Sequence, residues 1–235
     1  TTAPCVVFCA EDDLLEEKTA FGSVRLWKIT HREQFERAVQ ALAYRCEPRE
    51  IPRAVGAQYI GGLANWERIR KHKCSYLASG GTDWNAEFRR YTQNKENYTD
   101  SLILLSTGYY SGLSPEEVGL PPEIWKEASG EIRKYHELTH FIYRKCYPGD
   151  IQVIRDEVLA DCVGLCAAFD RYDASLARKL LGLDNGTLRP DARLRHYVPE
   201  DVLPQAMNEA ALWIGGLEKL LSRVPDLSKR QRESL

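Results

Sequence analysis

The sequence feature that most constrains the fold is a pair of short motifs whose side chains suit a single metal ion. The first is HELTH at residues 136–140, and the second starts after sixteen intervening residues at Glu157 and ends at Asp161. Residues four apart project from the same side of an α-helix, so His136 and His140 can present two imidazoles to one point. A catalytic zinc ion takes three protein ligands and keeps one position open. The chain is therefore expected to pack two helices around a zinc site that Glu157 completes.

Prolines and apolar spacing predict that both motifs lie on helices. The first helix is predicted over residues 122–146, with a proline pair at its start and a Pro-Gly pair after its end. The second is predicted to begin at Asp150, because apolar residues then recur at helical spacing. Glu157 and Asp161 are rotated away from that apolar stripe and share a face with small residues such as Gly164. Such a face lets the second helix approach the first closely, as an antiparallel pair.

The two motifs together resemble those of the gluzincins, the thermolysin-like branch of the zincin metallopeptidases. The resemblance covers about a tenth of the chain. It implies that His136, His140 and Glu157 bind zinc and that Asp161 hydrogen-bonds His136. A ligating histidine normally gives its second N–H to a carboxylate, which favours the same role for Asp161 and suggests Asp156 as the partner of His140. The link between the motifs is shorter than is commonest in the family, so Asp161 stays open as an alternative metal ligand.

The predicted chemistry is hydrolysis of an amide bond. Zinc activates a water molecule, and Glu137 takes its proton and returns it to the leaving nitrogen. A developing oxyanion also needs a preorganised donor, which gluzincin-like sites take from a tyrosine or histidine further along the chain. His196 and Tyr197 fit that order, and Tyr143, one turn beyond His140, is another candidate. Three nearby arginines, at positions 189, 193 and 195, are interpreted either as scaffold or as ligands for a substrate carboxylate.

The predicted fold class is α+β and zincin-like, in a single domain of residues 1–235 with a polar tail at 223–235. A small mixed sheet in the N-terminal half, 1–112, packs on a helical half, 113–222, that carries the metal helices. Strands are predicted at residues 5–9, 24–29, 54–60, 74–79 and 101–106, with a loop or short helix at 11–18. Further helices are predicted at residues 31–45, 65–73, 83–97, 173–181 and 204–221. In a zincin an edge strand aligns the substrate, and the candidates are 54–60 and 101–106.

The composition limits the partners and the cellular compartment that are predicted for this chain. The chain has 32 basic and 34 acidic residues, and this near-neutral charge predicts neither nucleic acid nor an anionic membrane as a partner. No apolar run has the length of a membrane span, and the first ten residues do not have the pattern of a secretory signal. Seven scattered cysteines predict reduced thiols in a cytoplasm. Cys162 and Cys166, one helical turn apart, are predicted to be small core residues rather than ligands.

The leading functional prediction is a cytoplasmic, zinc-dependent metallohydrolase that acts as a peptidase on a peptide or small-molecule substrate. One alternative keeps the zinc but modifies a small molecule or a modified peptide in a biosynthetic pathway, since a fold does not fix a reaction. A second alternative is a binding module in which zinc joins two helices without catalysis.

Overall fold

The computed structural model describes residues 6–149, 152–184 and 186–223. The chain is a mixed α+β protein, which confirms the α+β part of the predicted class. Its strands are β1 (Asp13–Thr19), β2 (Gly22–Ile29), β3 (Ala57–Ala64), β4 (Thr99–Ser106), β5 (Leu183–Asp184) and β6 (Thr187–Leu188). Its helices are α1 (Arg32–Leu42), α2 (Trp66–Ala78), α3 (Trp84–Thr92), α4 (Pro115–Val118), α5 (Pro122–Cys146), α6 (Val153–Phe169), α7 (Ala174–Leu181) and α8 (Leu203–Leu221). None of the described helices combines the length and the apolar character that crossing a bilayer requires.

The main sheet has four strands in the order β1-β2-β4-β3. The pair β2 and β4 is parallel, and the pairs β1 with β2 and β3 with β4 are antiparallel. The predicted small mixed sheet is therefore confirmed. Because β4 lies between two other strands, the prediction that residues 101–106 could be an edge was wrong, and β3 forms one edge of the sheet.

Alternation of side chains along the central strands gives the sheet two buried faces. Leu26 of β2 and Ile103 of β4 pack with Leu138 and Phe141 of α5 on one face. The next residue of each strand points the other way and joins a second cluster, built around Phe35 of α1. Burial on both faces explains the unbroken apolar run at residues 102–105 of β4. The same arrangement packs the sheet directly on the helix that carries the first motif.

Three predictions of secondary structure in the N-terminal half were wrong. Residues 11–18 were predicted as a loop or short helix, but β1 is an edge strand that a two-residue turn connects to β2. The sequence did not indicate strand β1, because many of its residues are charged and an exposed edge strand needs no alternation of apolar and polar residues. Residues 6–9 form no strand, and the Asp12 carboxylate instead accepts from the backbone of Cys9; residue 5 lies outside the described residues. Residues 74–79 continue helix α2 as far as Ala78.

The helices were predicted more closely than the strands. Helix α5 has the predicted bounds, and α7 and α8 each begin one residue from the predicted position. Helix α6 begins at Val153, and the predicted cap at Asp150 lies outside the described residues. Helix α3 ends at Thr92, earlier than predicted, and is followed by a 3₁₀ turn at Lys95–Asn97.

Helices α5 and α6 pack closely because Gly164 brings α6 against the backbone of α5. A Cβ atom at Gly164 would lie 2.7 Å from the carbonyl oxygen of Ile132. Such a distance is shorter than van der Waals contact, so a side chain at this position would push the two helices apart. The small-residue face predicted from the sequence therefore lies at the contact between the helices that carry the two motifs.

Gly164→Ala is expected to lower the free energy of unfolding by about 1–3 kcal/mol, because backbone atoms of α5 cannot move aside as a flexible side chain would. Gly130→Ala is the matched control. Gly130 is also helical, but a Cβ there would meet no atom within 4 Å. Alanine at that position should raise stability by about 0.5–1 kcal/mol through its helix propensity. Urea denaturation followed by circular dichroism measures both, and equal effects would contradict the close packing.

Candidate metal centre

Helices α5 and α6 bring two imidazoles and one carboxylate to a common point. The Nε2 atoms of His136 and His140 lie 3.0 Å apart. Glu157 places Oε2 3.4 Å from His136 Nε2 and Oε1 3.5 Å from His140 Nε2. All three side chains are largely buried, and no other group of this kind occurs among the described residues. The side chains of the two sequence motifs therefore converge between α5 and α6, as the predicted antiparallel helix pair implies.

The donor set and its spacing fit a zinc ion. Two ligands at roughly 2.0–2.1 Å from a tetrahedral zinc lie about 3.3–3.4 Å from each other. The separations of 3.0, 3.4 and 3.5 Å among the three donor groups are close to that spacing. Glu157 Oε2 is also buried without a hydrogen-bond partner in the described part of the chain. A buried carboxylate oxygen without a donor is costly unless a cation compensates it.

The Asp161 carboxylate lies next to His136 Nδ1, on the side of the ring away from Glu157, and both of its oxygens have partners. Its Oδ1 atom is 2.9 Å from His136 Nδ1 and accepts a hydrogen bond of 2.7 Å from the Tyr110 hydroxyl. Its Oδ2 atom accepts from Arg193 Nη2 in a buried ion pair. This geometry favours Asp161 as the group that orients His136, and it favours Glu157 over Asp161 as the third ligand. Asp156 lies behind the other imidazole, with its Oδ2 atom 3.0 Å from His140 Nδ1.

The charges of these groups depend on one another. Burial alone would lower the pKa of His136, but its hydrogen bond to Asp161 and the nearby Glu157 carboxylate outweigh burial and raise that pKa to about 10. Burial alone would raise the pKa of Glu157, but His136 holds it well below its usual range. The pKa of Asp161 is also lowered, because the Arg193 guanidinium and His136 outweigh the effect of burial. Metal binding at these atoms would therefore compete with protonation of His136.

The three candidate ligands line a cavity of about 270 Å³. Glu137 lines it beside the two imidazoles, and His196 and Tyr197 line it from the loop before α8. Burial raises the pKa of Tyr197 well above its usual value, so its hydroxyl stays protonated. Tyr143 does not line this cavity, and its hydroxyl accepts a hydrogen bond from Arg155. The structure thus brings two of the three predicted oxyanion donors to the cavity.

Two residues of the centre were not predicted in their observed roles. Tyr110 was not identified at all, although it follows the most apolar strand, β4, in a tight turn where Ser111 has a φ of 54°. Arg193 was interpreted as scaffold or as a substrate ligand, and it is buried against Asp161 and against the Tyr110 ring. The other two arginines of that cluster form ion pairs elsewhere, Arg189 with Glu117 and Arg195 with Glu200. Long-range pairs of this kind have no signature in local sequence.

The two cysteines of α6 agree with the interpretation as core residues. Cys162 and Cys166 are both buried and free. Neither belongs to the group of residues whose donor atoms converge, as far as the described residues extend.

Residues 12–217 match DUF7005, a family of unknown function. The chain belongs to the DUF7005 family. No curated protein sequence and no solved structure matches the chain. The DUF7005 match includes the whole main sheet and every candidate metal ligand, so the sheet and the metal centre lie within one family region.

Asp161→Asn is expected to weaken zinc binding by about 10–100-fold, because an amide orients and polarises a ligating imidazole less well than a carboxylate. Competition with a chromogenic chelator measures the dissociation constant. Asp173→Asn is the matched control, since Asp173 caps helix α7 and its side chain accepts from the backbone of Leu176. Equal zinc affinity for Asp161→Asn and the wild type would contradict the orienting role.

Proposed function

We propose that this protein is a zinc-dependent metallohydrolase, with peptidase activity as the leading assignment, and that its fold is zincin-like. The observation that carries the proposal is the convergence of His136, His140 and Glu157 on one point at the base of a cavity. Glu137 lies on the wall of that cavity within the same helix. A metal with an open position beside a glutamate is the arrangement that hydrolytic zinc enzymes use.

The chain's own residues would carry out the proton transfers. When bound, zinc supplies a Lewis acid that polarises a carbonyl group and lowers the pKa of water. Glu137 then accepts a proton from the attacking water, whose oxygen forms a bond to the carbonyl carbon. As the carbon–nitrogen bond breaks, Glu137 delivers the proton to the leaving nitrogen. His196 and Tyr197 are the candidate donors to the developing oxyanion, since both line the same cavity.

The position of β3 supports a peptide as substrate. Residues 54–59, which lead into and begin this edge strand, line the cavity opposite the metal helices. An exposed strand edge offers backbone donors and acceptors that can align an extended chain. The strand has an irregularity between Ile60 and Leu63, with Gly62 at a φ of +75°, and the four residues before it, 57–60, are the regular part that lies nearest the cavity.

The size of the cavity favours a second candidate. A volume of about 270 Å³ is slightly below the range of about 300–1,000 Å³ that is typical of small-ligand pockets. A small molecule or a modified peptide of a biosynthetic pathway would fit it as well as an extended peptide does. The third candidate function is a non-catalytic module in which zinc only joins two helices, and Glu137 has no role in such a module.

A cytoplasmic location remains part of the proposal. All the cysteines among the described residues are free, which suits a reducing compartment.

A mixture of unmodified peptides, incubated with zinc-loaded protein and analysed by mass spectrometry, tests the assignment. Cleavage at internal amide bonds that stops on chelation and returns with zinc is the expected result. Zinc-loaded protein that leaves the whole mixture intact would overturn the peptidase assignment and favour the small-molecule candidate.

A further inference from the structure

We propose that the substrate of this site has an anionic group, a carboxylate or a phosphate, which pairs with Arg144. This inference rests on the proposed function, because it concerns the substrate of the same cavity. It assigns a specificity-determining role to a residue that neither motif includes.

Arg144 lies on the cavity wall, one helical turn beyond the second imidazole. It is four residues after His140, so both project from one side of α5, about 6 Å apart along the helix axis. Its guanidinium carbon is 4.9 Å from the centre of the Tyr59 ring, which belongs to edge strand β3. The Tyr59 hydroxyl in turn lies 3.1 Å from Ser101 Oγ of β4. The guanidinium therefore lies against the Tyr59 ring, where α5 and β3 both line the cavity, and it is exposed to solvent.

Charge balance makes Arg144 the uncompensated cation of this cavity. Arg193, the other arginine of the wall, is paired with Asp161. A divalent metal would be balanced by Glu157 and Glu137 together. Arg144, in contrast, forms no ion pair with any residue that the structure describes, whereas the neighbouring Lys145 pairs with Glu96. Arg144 is thus the one cation of the cavity wall that no carboxylate among the described residues pairs with.

The chemistry of a guanidinium defines the group that it would bind. Its planar donors match the oxygens of a carboxylate or a phosphate, and such charge-assisted hydrogen bonds are the stronger ones. The anionic group is therefore expected on the side of the reacting bond that lies towards the C-terminal end of α5.

Binding of hydroxamic acids to the zinc-loaded protein tests the charge preference without depending on turnover. The three probes have the same chain length and end in a carboxylate, a phosphonate or an uncharged carboxamide. For the wild type we expect the anionic probes to bind about 10-fold more tightly than the carboxamide, as measured by calorimetry. The tighter of the two anionic probes identifies the kind of anion. Arg144→Gln should make all three probes bind equally, and Arg144→Glu should reverse the preference.

Lys145→Gln is the matched control, because it removes a cation from the next position of the same helix. Lys145 faces a different cavity, so this variant should keep the preference of the wild type. Equal affinity of the wild type for charged and uncharged probes would overturn the role of Arg144 while leaving the metal site intact. Failure of every probe to bind to protein that contains zinc would overturn the proposed open metal site as well. Thermal unfolding of each variant checks that the fold is unchanged.

Discussion

Glu137→Gln is expected to retain zinc and to lose hydrolysis. The amide has nearly the shape of the carboxylate but cannot accept a proton from water, and proton transfer of this kind contributes about 10²–10⁴-fold to a rate. We therefore expect kcat to fall by at least about 100-fold, with zinc content unchanged. Steady-state kinetics on the best substrate of the peptide mixture measure the fall. The buried position of Glu137 beside the ligands makes this the largest effect expected from a single change outside the metal ligands.

The control for Glu137→Gln is Glu131→Gln. Glu131 lies on the same helix but is exposed, so the same chemical change there should leave kcat within about twofold of the wild type. Full activity of Glu137→Gln would contradict the proposed proton transfer. A zinc that merely joins the helices would be insensitive to both changes.

The largest effect on stability is expected from Arg193→Met. Arg193 is almost completely buried, pairs with the equally buried Asp161, and lies over the rings of Tyr110 and Tyr197. Removal of the guanidinium leaves the Asp161 charge without its main compensating cation. Breaking a buried pair in this way costs about 3–5 kcal/mol. The free energy of unfolding of metal-free protein, from urea denaturation, should fall by that amount.

Arg195→Met is the control variant for Arg193→Met. It lies two residues further along the same turn and pairs with an exposed Glu200, so its loss should cost less than about 1 kcal/mol. Similar costs for the two variants would contradict the buried network around Asp161. Loss of Arg193 should also weaken zinc binding, because Asp161 would then orient His136 less firmly.

The helical half could be predicted because its signals are local. Prolines mark both ends of α5, and residues of α6 recur at helical spacing, so the sequence predicts both helices and the faces that meet. The face with Gly164 predicts close packing, since only a small residue fits there. The ligand set follows from these two helices alone. This is why His136, His140 and Glu157 could be named before the structure was known.

The rest of the site depends on contacts between distant parts of the chain. Tyr110 and Arg193 reach Asp161 from 51 and 32 residues away, and nothing near either residue indicates that pairing. The sequence also could not show which strand forms the edge of the sheet, because the order of strands is set by pairing between strands rather than by the composition of one strand. Strand β1 could not be predicted because many of its side chains are charged and exposed and give no apolar pattern.

The central claim is that the protein binds zinc, and metal analysis of the purified protein tests this claim most directly. Zinc per chain is measured by mass spectrometry after loading and dialysis, for the wild type, His140→Ala and Glu157→Ala. His72→Ala is the control, since His72 pairs with Glu87 on a different pair of helices. We predict about one zinc per chain in the wild type and the control, and almost none in the two ligand variants. A wild type that stays metal-free after zinc is supplied would contradict the account.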